Sequence, residues 1–213
     1  ASLAEQILAS HPEVTAAGEV AFIPALAKRY YAPSLASWPP LEPAGRQQLQ
    51  TAYARNVAHL HPEARVVTDK RPDNVFHVGL IKAMFPKALI VHTRRDPIDN
   101  CLAVWFLQLP KSAPYALDLL DVAHWQRQQE RLMAHWRSLY GDDIPPFDYD
   151  RLVQEPRAAI EALLAHCGLP WDDACLEFHR REGVVRTASV LQVRQPVYAR
   201  SVARWRRYEP ALA

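Results

Sequence analysis

Residues 66–104 read VVTDKRPDNVFHVGLIKAMFPKALIVHTRRDPIDNCLAV, and they set a basic strand end, an amphipathic helix and a second basic strand end in succession. Short apolar runs bounded by charge, at 65–68 and 88–93, have the pattern of buried parallel strands, and 74–85 between them is the crossover helix such a pair requires. In an open α/β sheet, ligands bind outside the carboxyl ends of the strands. Here those ends carry Lys70 and Arg71, then Arg94 and Arg95. The sequence therefore predicts two strand tips converging their cations on one crevice, the arrangement that handles phosphate-like anions.

Working outward, residues 2–10 place Leu3, Ile7 and Leu8 on one helical face, and Pro12 stops the helix. Residues 20–31 and 45–59 read as further helices, separated by the proline-rich loop APSLASWPPLEP. A long helix over 117–140 carries Leu132, Met133, Trp136, Leu139 and Tyr140 at helical spacing, which reads as a core face. IPPFDYDRL gives a short strand, and 156–167 a helix with proline at its start and Gly168 beyond its end. A last helix is expected over 171–181, and 200–208 also admits one. The alternation of strand and helix predicts a single domain over 1–213, α/β in class, with three α/β/α layers around a central parallel sheet.

At 213 residues the chain fits one domain, and 49% hydrophobic with 23% charged residues is ordinary for a globular protein. The formal charge of +2 gives no bulk argument for binding nucleic acid, so any anion site must be local. No apolar run approaches the roughly 18 to 20 residues of a membrane span, and no signal-peptide pattern opens the chain. The expectation is a cytoplasmic protein without a membrane partner. Cys101, Cys167 and Cys175 lack CxxC spacing and read as buried thiols. His166, Cys167, Cys175 and His179 fit no common zinc spacing, so no metal is expected. None of the six glycines forms a GxGxxG or GxxxxGK motif.

The order T-D-K-x-P-x-N (68–74), a helix, a hydrophobic strand and H-x-R-R-D-P (92–97) resembles the sulfotransferases that use 3′-phosphoadenosine 5′-phosphosulfate (PAPS), in particular the bacterial branch related to tyrosylprotein sulfotransferases. The resemblance runs from SLAEQILASHPEV at the start to SVLQVRQPVYARSVARW near the end. It implies the P-loop NTPase-like sulfotransferase fold, PAPS as co-substrate with adenosine 3′,5′-bisphosphate (PAP) as product, and a hydroxyl or amine acceptor: a peptide tyrosine, a saccharide or a small molecule. It further implies residue roles. Lys70 matches the lysine that stabilises the transition state, and a compact ammonium suits the growing charge on the leaving oxygen. Arg95 matches the 3′-phosphate arginine, whose planar fork can give two parallel bonds to one phosphate. Glu19, in AAGEVAF, matches the general base, although a glutamate at a helix start also answers the helix dipole. His77 and His92 are the alternative bases.

Tyr149 matches a tyrosine that contacts the nucleotide, and packing beneath the next helix is its other reading. Ser189 matches a stabilising serine, and Gln192, Val193, Arg194, Tyr198 and Arg204 belong by resemblance to a segment that folds over the nucleotide. A serine usual eight positions after the phosphate arginine is Ala103 here, with Asn100 a candidate replacement donor. The family's P-R-S-G-T loop between first strand and first helix cradles the phosphosulfate on a helix N-terminus. Ala1, in place of the usual threonine, and Ser2 fall where that loop ends, so the first strand and loop are expected upstream of Ala1. Taken as the whole molecule, residues 1–213 would be inactive. With that segment, the parent protein would be an enzyme, with helical repeats further upstream. Two other readings are a non-catalytic interaction module on a degenerate scaffold and a kinase-like P-loop protein acting on a nucleotide or small molecule. The acceptor-binding residues are expected in loops 32–45 and 108–116.

Overall fold

The computed structural model describes residues 1–31, 41–58, 65–107, 109, 113–181 and 194–212. Its first strand, β1 (Val14–Ala16), follows helix α1 (Ser2–Ala9) and pairs in parallel with β2 (Val66–Thr68), Val14 lying opposite Val66 and Ala16 opposite Thr68. Helices α2 (Phe22–Tyr31) and α3 (Pro43–Ala58) lie between the two in sequence. A second parallel pair joins β3 (His92–Arg94) to β4 (Pro146–Asp148), with Thr93 opposite Phe147. Helix α4 (Val78–Met84), preceded by a 3-10 segment Pro72–His77, crosses from β2 to β3. Helices α5 (Pro97–Phe106) and α6 (Leu119–Tyr140) separate β3 from β4, and α7 (Tyr149–Gln154) and α8 (Pro156–His166) follow it. The parallel α/β architecture expected from the sequence is the one observed.

Local chemistry sets the helix ends. The Asp96 carboxylate accepts the Asp99 amide at 2.9 Å, with Pro97 in the first turn of α5. Asp118 accepts the amides of Leu120 and Asp121 at the start of α6, and Asp148 those of Asp150 and Arg151 at α7. Helix α6 stops at Gly141 and the chain turns after α8 at Gly168, both at positive φ. These caps hold α5 and α7 directly after strand ends, so that Arg95 and Tyr149 are presented at the same edge of the molecule.

Three apolar clusters hold the elements. Ile7 and Leu8 of α1 pack with Leu152, Ile160, Leu164 and Phe178. Ile23 and Ala27 of α2 meet Leu80 and Met84 of α4, and Val78 meets Met133 and Ile144. A buried lysine completes this last region: Lys82 Nζ donates to the carbonyls of Pro86 and Ala88 and to Asp143 at 2.7 Å, so its ammonium is satisfied by three acceptors.

Among the described residues each sheet has only two strands. The edge of β2 away from β1 and the edge of β3 away from β4 therefore lack a ladder partner there. Both strands line one cavity of about 1070 Å³, with Ala4 and Leu8 of α1 also in its wall. The described strands thus form two separate parallel pairs that both border a largely aliphatic space.

Several expectations are corrected. Strand β1 escaped the sequence reading, because Val14-Thr15-Ala16 is too short to show a period and is ordered by the ladder to β2. Residues 171–181 are not one helix but two short 3-10 turns, Asp173–Cys175 and Phe178–Arg180, because Asp172 caps the Ala174 amide and closes the first turn. The tail over 200–208 contains 3-10 turns broken at Ala203, whose φ of 50° no α-helix accommodates. Leu139 lies on the outer face of α6 and is 58% exposed rather than core. Cys101 and Cys175 are buried free thiols, whereas Cys167 is only half-buried. Residues 32–40 and most of 108–112 of the expected acceptor loops lie outside the described residues.

Candidate active site

Lys70 stands just past the carboxyl end of β2. Its backbone amide donates to the Gly18 carbonyl at 2.8 Å, which ties the β2 tip to the turn between β1 and α2. Gly18 has a φ of 69°, a conformation that favours glycine, and the next residue is Glu19. The outcome is an ion pair: Lys70 Nζ donates to Glu19 Oε1 at 2.6 Å, the lysine side chain 8% exposed and the glutamate 42%. Beside it, Asp69 accepts from the Tyr53 hydroxyl at 3.1 Å and the Asn74 amide at 3.3 Å. Burial pushes the Asp69 carboxyl above its usual range, with those two hydrogen bonds opposing. Arg71 forms a forked pair with Asp73 at 2.9 and 3.1 Å.

Arg95 stands just past the carboxyl end of β3. One terminal nitrogen donates to the Ser201 carbonyl at 2.5 Å, and the guanidinium lies over the Tyr149 ring at 5.3 Å. Its Nε is buried without a hydrogen-bond partner among the described residues. The Tyr149 hydroxyl in turn donates to the Tyr198 carbonyl at 3.0 Å, and burial, then Tyr198, raises the tyrosine's pKa against the opposing Arg95 charge. Asp99, 2% exposed, accepts the Trp205 amide at 2.7 Å. Arg204 packs over the Phe106 ring at 5.1 Å. These contacts lay the tail across α5 and close one wall of a cavity of about 690 Å³, bordered by Ser2, Arg95, Asn100, Tyr149, Tyr198 and Arg204. That volume lies in the range of small-ligand sites.

The two cavities share Ala1, His92, Asn100 and Gln129 in their walls. Lys70 lines the larger and Arg95 the smaller, and the N-terminus of α1 lies at both. The larger cavity, which Lys70 lines, is also walled by Tyr115 and Trp125, stacked with ring centroids 4.5 Å apart, and Phe76 packs against Trp125 at 5.3 Å. Burial, with the charges of Arg137 and Arg94, lowers the His92 pKa to about 4, so this imidazole is neutral at neutral pH. Burial also lowers the His77 pKa.

The Sulfotransferase family model matches residues 1–173. The chain belongs to the sulfotransferase family. It is 37% identical over 224 residues to an uncharacterized protein of Aquifex aeolicus (strain VF5), covering 99% of this chain and 29% of that protein. The chain thus spans under a third of the length of that relative. Among solved structures it is similar to the sulfotransferase domain of the Synechococcus PCC 7002 olefin synthase, with TM-score 0.69 and 19% identity over 96% of this chain and 82% of that one. It is also similar to the sulfotransferase domain from the curacin biosynthetic pathway, with TM-score 0.67 and 14% identity over 96% and 86%. At these identities the structures establish a shared fold.

Within this member of the sulfotransferase family the structure brings Glu19 and Lys70 together, and separately gathers Ser2, Arg95, Tyr149, Tyr198 and Arg204 around one cavity. Asn100 and Ala103 line that same cavity on α5, and the Asn100 side chain donates to Gln126 at 2.8 Å. Arg194 is exposed at the start of the described tail, and Gln195 to Tyr198 after it line the cavity. Ser189, Gln192 and Val193 lie outside the described residues. Among the described residues, no group of three His, Cys, Asp or Glu side chains is placed to hold a metal ion, and no helix is long and apolar enough to cross a membrane. The sequence reading missed Glu5, Asp99 and the Ser201 carbonyl. Glu5 sits within an amphipathic helix, where its charge reads as surface, and a backbone carbonyl leaves no trace in side-chain identity.

Proposed function

We propose that this sulfotransferase domain moves a sulfuryl group from PAPS to a hydroxyl acceptor, and that Glu19, Lys70 and Arg95 carry the reaction. The acceptor oxygen attacks sulfur, the bond from sulfur to the bridging phosphate oxygen breaks, and the acceptor's proton passes to the Glu19 carboxylate. Lys70 offsets the charge that grows on the departing oxygen. Arg95 holds the 3′-phosphate through its unpartnered Nε and the nitrogen that meets the Ser201 carbonyl. PAP leaves. As in phosphoryl transfer, the protein's task is mainly positioning and charge neutralisation.

The observation that carries this reading is the 2.6 Å contact of a nearly buried lysine with a half-exposed glutamate, where the tip of β2 meets the turn after β1. The base is reachable from solvent while the cation is held. The stacked Tyr115 and Trp125 in the wall of the cavity that Lys70 also lines favour an aromatic acceptor, and a peptide tyrosine is the reading we adopt. The coverage of its longer relative supports a domain working within a larger protein. Calorimetric titration with PAP tests the donor site. We expect binding that Arg95→Ala weakens by about tenfold or more, since a charge-assisted hydrogen bond is worth roughly 1.5–3 kcal/mol. Binding unchanged by Arg95→Ala would reject the assignment.

A further inference from the structure

We infer that Glu5 is a positioning residue whose carboxylate fixes the Gly18–Glu19 turn to β2 so that Glu19 is delivered to Lys70. The inference rests on the reading of Glu19 as the general base and gives a role to a residue that the resemblance left unassigned.

Glu5 Oε1 accepts two hydrogen bonds, from the Gly18 amide at 3.1 Å and from the Thr68 hydroxyl at 3.3 Å. One oxygen on α1 therefore joins the turn after β1 to the last residue of β2. The other side of Gly18 is also engaged, its carbonyl accepting the Lys70 amide at 2.8 Å, and the Ala17 amide donates to the Thr68 carbonyl at 2.9 Å. With both peptide groups flanking its Cα held, the glycine keeps its φ of 69°, and the direction in which the chain leaves toward Glu19 is set. Gly18 has no side chain to pack and its conformation is intrinsically free, so these bonds are what define it. Loss of the Glu5 acceptor would release the Ala17–Gly18 peptide plane and, with it, the carboxylate one residue on. Such a misplacement of a reacting group costs rate rather than substrate affinity.

The carboxylate is partly buried for this task. Burial pushes the Glu5 carboxyl above its ordinary range, opposed first by the Lys70 charge and then by the Thr68 and Gly18 hydrogen bonds. What the turn needs from Glu5 is an acceptor oxygen, so glutamine is expected to replace it.

The test compares Glu5→Ala, Glu5→Gln and, as a milder variant should Glu5→Ala not fold, Thr68→Val, all in protein carrying its upstream residues, by amide exchange and by transfer from PAPS to 4-nitrophenol. Glu5→Ala is expected to speed exchange of the Gly18 and Lys70 amides by about tenfold or more. It should lower kcat by roughly 10- to 100-fold with the PAP Kd unchanged. Glu5→Gln restores both, and Thr68→Val shifts both in the same direction by less. In a Glu19→Gln background, Glu5→Ala lowers kcat no further, because the two act as a unit. Unchanged exchange, or a Glu5→Ala loss that persists in full without Glu19, overturns the inference. A wild-type protein that transfers nothing to 4-nitrophenol counts against the proposed function at that step, and the exchange rates then decide the role of Glu5 by themselves.

Discussion

The Lys70 ammonium meets the Glu19 carboxylate at 2.6 Å although the two stand 51 positions apart in sequence. Each arrives by a different route, Lys70 on the end of β2 and Glu19 after the Gly18 turn, and the Lys70 amide to Gly18 carbonyl bond closes the pair. Lys70→Met and Glu19→Gln are each expected to leave the protein folded, because methionine suits the nearly buried site, Glu19 is half-exposed and a glutamine oxygen still accepts from Lys70. Catalysis should suffer far more. Lys70→Met is expected to lower kcat by about 100- to 1000-fold, and Glu19→Gln by about 100- to 10,000-fold, with PAP affinity held within about twofold. Paired kinetic and calorimetric measurements check both.

His92 gives stability a pH dependence whose sign is fixed by its lowered pKa. The folded value of about 4 lies below the ordinary 6.5, so between those limits the unfolded chain binds the proton that the folded chain refuses. Stability is therefore lost as pH falls from 6.5 toward 4. Arg137 and Arg94 face the ring and reinforce the effect, whereas Glu5 and Asp69, with raised values, oppose it in the acid range. His92→Gln removes the His92 part alone. Urea unfolding at pH 7 and pH 5 should show a smaller acid loss in the variant, and equal losses would contradict the assignment.

Gly79 is required by packing rather than by backbone conformation. A Cβ there would meet the Trp136 ring at 2.9 and 3.2 Å, and that ring is anchored by its Nε1 donating to the Val75 carbonyl at 2.8 Å. Gly79→Ala should destabilise by about 1–3 kcal/mol, the usual cost of overpacking. Adding Trp136→Phe should recover part of the loss, as chemical denaturation of the single and double variants would show.

β2 and β3 each leave an edge without a ladder partner among the described residues, and both border one cavity. A parallel strand contributed by residues upstream of Ala1 would complete the sheet across the cavity of about 1070 Å³, and would end at the N-terminus of α1. An extended protein is expected to show slower amide exchange at Val67 and at Thr93 than residues 1–213 alone, and to bind PAP more tightly. Identical exchange in the two proteins would mean that no strand occupies the space.

The parallel α/β class and the helices α1 to α4, α6 and α8 were legible because they depend on local pattern: amphipathic spacing, and proline or glycine at helix ends. The cation-bearing strand tips were legible too, since Lys70 and Arg95 follow short apolar runs directly. What escaped depends on distant partners. β1 is a strand only because β2 lies beside it, and the tail from Ala199 takes its course from Asp99, Arg95 and Tyr149, not from any period of its own. The grouping of Ser2, Tyr149 and Tyr198 at one cavity followed from resemblance, and no spacing rule would have joined residues so far apart. Glu5 looked like a solvated helix glutamate, and only the closeness of Gly18 and Thr68 gives it another meaning.

Transfer of radiolabelled sulfur from PAPS to a tyrosine-containing peptide, run with wild-type protein carrying its upstream residues and with Lys70→Met and Glu19→Gln, tests the central claim most directly. Labelled peptide from the wild type, reduced at least about 100-fold in both variants, is the predicted result. Transfer that survives both substitutions, or PAP binding with no transfer to any hydroxyl acceptor, would contradict it.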